Sequence, residues 1–190
     1  MKYFTSDLHH KHKNICAYTN RKLQVTTEEH DRWLVNIRND TVQPNDTVYH
    51  LGDLSFATKY DLIAEFVSNL KGQKFLIKGN HDRTEFFDRL KADNLIQNWY
   101  DYKEIKIGEN RVVLFHFPIS AWHQQHRGSW MLHGHSHGSH FQEGKILDVG
   151  IDSAYNLLGN HQFMCEEGIT RYMKDCKIHI ADHHTYREGE

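Results

Sequence analysis

Short apolar runs that close on Asp or His punctuate this chain. Lys2 to Ser6 reads as a strand ending at Asp7, and Thr47 to Leu51 as a strand ending at Gly52-Asp53. Lys74 to Lys78 reads as a third, ending at Gly79-Asn80-His81-Asp82. Helical spacing fills the gaps between them. Trp33, Leu34 and Ile37 predict a helix from Thr26 or Thr27 to about Asn39, with Glu28 and Glu29 in its first turn. Leu62, Ile63, Phe66, Val67 and Leu70 form one stripe on a helix from about Lys59 to Leu70. A further helix is expected over Thr84 to Lys91. From His9 to Arg21 the chain is polar and basic, with one helical turn around Ile15 to Tyr18.

The second half has a different rhythm. Ile105 to Ile107, a Gly108-Glu109-Asn110 turn and Arg111 to Phe115 predict a hairpin that ends at His116-Phe117-Pro118. Trp130 to His133 and Lys145 to Ile151 read as two more strands, with a short strand and a helix around Glu166 to Met173 in the tail and a frayed end after Asp182. Alternating strands and helices followed by a hairpin imply an α/β fold in one domain over residues 1–190, with a mainly parallel sheet and further strands beside it.

Composition adds little about partners until the histidines are counted. The net charge is −2 with His neutral, which gives no broad attraction to duplex nucleic acid or an anionic membrane. Cys16, Cys165 and Cys176 are widely spaced with no CxxC pair, and Met1 runs straight into charged residues. A reduced, cytoplasmic protein without signal peptide or membrane span is therefore the expectation. Seventeen His in 190 residues is more than background. In open α/β sheets ligands bind beyond the carboxyl ends of strands. Asp7, His9, Asp53, Asn80, His116, His135 and His137 all fall at such ends.

Two carboxylates, one amide and four imidazoles suit Mn, Fe, Zn, Co or Ni. Seven ligands exceed one tetrahedral zinc and fit two metals sharing a carboxylate. The order and spacing of Asp7-x-His9, Gly52-Asp53, Gly79-Asn80-His81-Asp82, His116 and Gly134-His135-x-His137 resemble the calcineurin-like metallophosphoesterase signature. A narrower resemblance, on His12, Asn14-Ile15, Arg21, His116-Phe117-Pro118 and Trp122, is to a small bacterial or phage branch of that family. The resemblance implies a four-layer α/β/β/α sandwich and a site for two divalent ions, manganese first among the candidates. It implies one ion on Asp7, His9, Asp53 and His137, and another on Asp53, Asn80, His116 and His135.

With two cations, a shared water deprotonates easily and attacks phosphorus in line. His81 is expected to protonate the leaving oxygen, with Asp82 orienting its imidazole. His12, Asn14 and Arg21 are candidates for framing the phosphate pocket, and Arg83 for touching substrate, with a solvated role as the alternative. The remaining histidines, and Trp122 and Trp130, read first as solvated or packed side chains. The expected activity is phosphoester hydrolysis, as phosphodiesterase or phosphatase, on a small substrate such as a nucleotide. The competing reading is a non-catalytic metal-binding scaffold of the same fold.

Overall fold

The computed structural model describes residues 1–19, 21 and 25–181, so the frayed end expected after Asp182 lies outside the described residues. Two sheets face each other. The first has the order β4-β3-β2-β1-β9, built from β1 (Lys2–Thr5), β2 (Thr47–Leu51), β3 (Gln73–Ile77), β4 (Asn98–Tyr100) and β9 (Met164–Cys165). Its first four strands are parallel, and β9 pairs antiparallel with β1. The second sheet has the order β5-β6-β7-β8, from β5 (Tyr102–Ile107), β6 (Asn110–Phe115), β7 (Trp130–His133) and β8 (Ile146–Asp148). The expected hairpin is β5–β6, while β6, β7 and β8 run parallel.

Between the sheets, Phe4, Leu51 and Ile77 from one meet Val112, Leu114 and Leu132 from the other. Helices α2 (Thr27–Thr41), α3 (Tyr60–Ser68) and α4 (Thr84–Ala92) cover the outer face of the first sheet, burying Leu34, Ile63, Phe66, Phe87 and Leu90. The outer face of the second sheet packs Val113, Met131 and Ile146 under Trp122 and Ile119 from the histidine-rich loop. This is the two-sheet sandwich of the expected α/β/β/α class. The expected α2 start is a capping box: Thr26 Oγ1 accepts from the Glu29 N–H at 3.2 Å, and Glu29 accepts from the Thr26 N–H at 2.8 Å.

Two elements differ from expectation. The strand placed at Lys145 to Ile151 is only Ile146–Asp148, and Ile151 opens helix α5 (Ile151–Leu158). Leu147, Val149 and Ile151 alternate as a strand would, but Asp148 accepts from the Gly150 N–H at 2.7 Å and turns the chain. Strand β4 was not expected; Trp99 and its neighbours join the sheet by pairing with β3, a long-range partnership that local pattern does not reveal. Trp122 and Trp130 are both buried in the core.

Candidate metal centre

The parallel strands β1, β2 and β3 end on one rim, and the loops leaving them carry Asp7, Asp53 and Asn80. The β1 and β2 loops stay together beyond the sheet: the Asp7 N–H donates to the Gly52 carbonyl at 3.0 Å and the His9 N–H to the Asp53 carbonyl at 3.1 Å. Loops after β6 and β7 bring His116, His135 and His137 from the second sheet to the same rim. Two glycines permit the approach. A Cβ on Gly79 would collide with the Asp53 side chain and amide, and one on Gly134 would collide with Ser6 and the Asp7 carboxylate.

The gathered atoms form two groups. Ligand atoms of Asp7, His9 and His137 lie within 4.8 Å of one another, and so do those of Asp53, His116 and His135. Asp53 stands between the groups. Its Oδ2 is 3.8 Å from His9 Nε2, and its Oδ1 is 3.6 Å from His116 Nε2. Asn80 Oδ1 lies 3.0 Å from the same His116 nitrogen. All seven residues expected to bind metal therefore meet around Asp53.

The donors are aimed by their neighbours. His116 Nδ1 pairs with the Leu51 carbonyl at 2.8 Å, which turns Nε2 toward Asp53. His137 Nδ1 pairs with Asp152 at 2.7 Å. Asp7 is fully buried and accepts from Ser6 Oγ at 2.5 Å and the His135 N–H at 3.0 Å. Burial raises the Asp7 carboxyl to about 6 and lowers His9 to about 2. Burial opposes charge on His137 too, but the Asp152 hydrogen bond and the Asp7 charge carry its pKa above the ordinary value. Among the described residues, neither ring nitrogen of buried His9 has a hydrogen-bond partner. An orphaned imidazole facing two carboxylates is costly in protein alone and is what a divalent cation satisfies. The nitrogen and oxygen donors fit the group that the spacing implies.

Asp152 was not singled out in the sequence, where it follows the strand expected at Lys145 to Ile151. Here it is buried and pairs with Arg21 through both carboxylate oxygens at 3.0 Å. Arg21 also donates to the carbonyls of Leu8, at 2.9 Å, and Asp7. Arg21, expected to frame the phosphate pocket, is 2% exposed and spent on these partners. Asp82 departs from expectation as well. Its carboxylate accepts from the N–H groups of Asp53, Leu54 and Gly79 at 2.8, 2.9 and 2.8 Å. It shapes the backbone under Asp53 rather than orienting the His81 ring, and burial raises its pKa to about 7. The exposed His81 side chain places Nε2 3.9 Å from Asp53 Oδ2, while the His81 N–H donates to Asp53 Oδ1 at 3.0 Å.

A cavity of about 800 Å³ opens beside the two groups, with His9, His81, His135 and His137 on its wall and His12 and Phe56 beside them. Asn14 stands behind His12, its N–H donating to His12 Nδ1 at 3.2 Å. Arg83 is exposed and lies over the Phe86 ring at 5.3 Å.

Residues 3–189 match the family model described as calcineurin-like phosphoesterase. The chain belongs to the calcineurin-like phosphoesterases. An uncharacterized protein of Methanocaldococcus jannaschii, MJ1445, is 32% identical, with 77% of this chain and 74% of that protein covered. The Gene 66 protein of Mycobacterium phage L5 is 30% identical over 84% of this chain and 90% of its own, in keeping with the small phage and bacterial branch. In fold, the chain is similar to AQ665 of Aquifex aeolicus, a protein of unknown function. The TM-score is 0.67 at 23% identity, with 90% of this chain and 98% of that one covered. For a calcineurin-like phosphoesterase, phosphoester hydrolysis is the general activity and divalent metals are the usual cofactors. Among the described residues, no helix is long and apolar enough to cross a membrane.

Proposed function

We propose that this calcineurin-like phosphoesterase is a cytoplasmic one-domain hydrolase that cleaves a small phosphomonoester or phosphodiester with two divalent ions, manganese first among them. One ion belongs to Asp7, His9, Asp53 and His137, and the other to Asp53, Asn80, His116 and His135. The observation that carries this reading is Asp53, with one carboxylate oxygen facing each group. Such ions, when bound, activate a water for attack and neutralise charge on the phosphoryl oxygens.

The remaining chemistry falls to the chain itself. Asp53 and Asp7 supply the negative charge that draws cations to the rim. His116 and His137 are held with one ring nitrogen engaged behind and the other facing the site. His81 is the open imidazole beside Asp53, and it protonates the leaving oxygen. Its backbone bond to Asp53 keeps it at the centre while its ring stays in the cavity. Asp82 contributes by holding the loop, not by charging the imidazole.

The test is His81→Ala, assayed with metal content measured in the same samples. Both ions should stay bound and the fold intact. Esters with an alkoxide leaving group should slow about 100-fold to 10,000-fold, the usual span for general acid catalysis. A nitrophenolate leaves without much help and should slow far less. Equal slowing of both classes with metals retained would show that His81 is not the acid.

A further inference from the structure

The proposed chemistry does not use one feature of the cavity, a row of rings that starts at His81 and runs outward. The Phe56 ring centroid lies 4.5 Å from that of His81. His12 meets Phe56 edge-on at 4.4 Å and 89°. Tyr18 follows, 6.0 Å from His12, and is 71% exposed at the mouth. A tyrosine this exposed buries little apolar surface and adds little to folding.

Asn14 nonetheless fastens it. The Asn14 side-chain amide reaches the Tyr18 hydroxyl at 3.4 Å, while the Asn14 N–H fixes His12 Nδ1. The stretch from His12 to Tyr18 is thus built to hold two rings beside the acid. Among the described residues, none that lines the cavity is Lys, Arg, Asp or Glu.

We propose that the cavity receives a phosphoester whose leaving group is flat, aromatic and uncharged, of the nucleoside kind, seated against His12 and Tyr18, with Phe56 packed behind them under His9. This rests on the reading of His81 as the acid, because the group that departs must lie on the acid's side. Ring faces stack on aromatic side chains whatever the base, so the row selects for a ring rather than for one sequence. A leaving group carrying further phosphates meets no Lys or Arg on the wall among the described residues. A volume of about 800 Å³ is ample for a nucleoside.

The experiment compares adenosine 5′-monophosphate with ribose 5-phosphate on the metal-loaded protein. Both release a primary alkoxide, and only one carries a base. Equilibrium dialysis of adenosine against ribose, with no turnover required, is run beside the kinetics. Stacking predicts kcat/KM at least about tenfold higher for the nucleotide, and adenosine binding where ribose shows none. Tyr18→Ala should lower that ratio about fivefold and weaken adenosine binding, and Tyr18→Phe, which keeps the ring face but loses the Asn14 tether, should fall between the parent and Tyr18→Ala in both.

If neither ester is cleaved, adenosine binding lost in Tyr18→Ala still supports the cavity assignment, and hydrolysis alone is in question. If adenosine fails to bind, or both esters turn over equally with Tyr18→Ala unchanged, the proposal is overturned and the hydrolase reading stands on its own test.

Discussion

Asp53 is where a single atom change reaches furthest. Its oxygens face His9 on one side and His116 on the other. Asp53→Asn removes the shared charge without changing shape, so both ions should be lost or loosened. Metal analysis of the folded variant checks this, and two tightly held ions would refute the shared role. Asp82 makes a different prediction. Three buried N–H groups donate to it, and each left unpaired costs about 1–3 kcal/mol. Asp82→Ala should therefore destabilise the fold by about 3 kcal/mol or more in urea denaturation. His81→Ala, at an exposed side chain, should stay within about 0.5 kcal/mol of the parent. Sequence adjacency placed Asp82 beside His81; only the path of the loop shows that its carboxylate turns the other way.

At the scale of elements, the site is made by chain reversals at strand ends. Asp7, His9, Asp53, His135 and His137 all have φ between 49° and 69°, so five of the seven proposed ligands sit in left-handed backbone. Each such residue costs about 1–3 kcal/mol and persists only where its surroundings hold it. Arg21 and Asp152 are part of that hold, tying the loop after β1 to the first turn of α5 and to His137. Asp152→Ala would free the His137 ring and leave buried Arg21 unpaired, a loss of about 3–5 kcal/mol. The double variant Arg21→Met with Asp152→Ala removes the unpaired charge and reads what the pair as a whole, through the β1 loop and through His137, contributes to the metal centre. It should fold better than Asp152→Ala, yet still bind Mn about 10-fold to 100-fold more weakly than the parent. Calorimetric Mn titration decides; parental affinity in the double variant would assign the pair a purely structural role.

For the whole molecule, cations and protons both act on stability. Ions that bind only the folded rim add RT ln(1 + [L]/Kd), so chelation should lower the melting temperature as well as abolish hydrolysis, with Mn, Co or Ni restoring both. Full activity in metal-free protein would sink the two-ion reading. Acid should act through His50, 2% exposed on β2, with neither ring nitrogen partnered among the described residues. Burial, then the nearby Arg38 charge, lowers its pKa well below the ordinary value. The unfolded chain protonates this group near pH ~6.5 while the folded chain does not, so stability falls below that pH by up to about 1.4 kcal/mol per unit. His50→Leu should flatten the stability profile between about pH 6 and 5, read from urea curves of both proteins; equal slopes would count against it. The sequence by itself determined the alternation of strands and helices, a threonine cap at the start of α2, and the positions of seven metal-ligand types at strand ends. These depend on local periodicity and residue chemistry, which neighbours in the chain settle. It did not determine β4, the start of α5, or the duties of Arg21, Asp82 and Asp152. Those depend on partners from distant parts of the chain: 131 residues separate Arg21 from Asp152, and 28 and 29 separate Asp82 from Leu54 and Asp53. A carboxylate or guanidinium pairs with whatever donor, acceptor or charge the fold brings within reach, and that is decided only when distant segments of the chain come together.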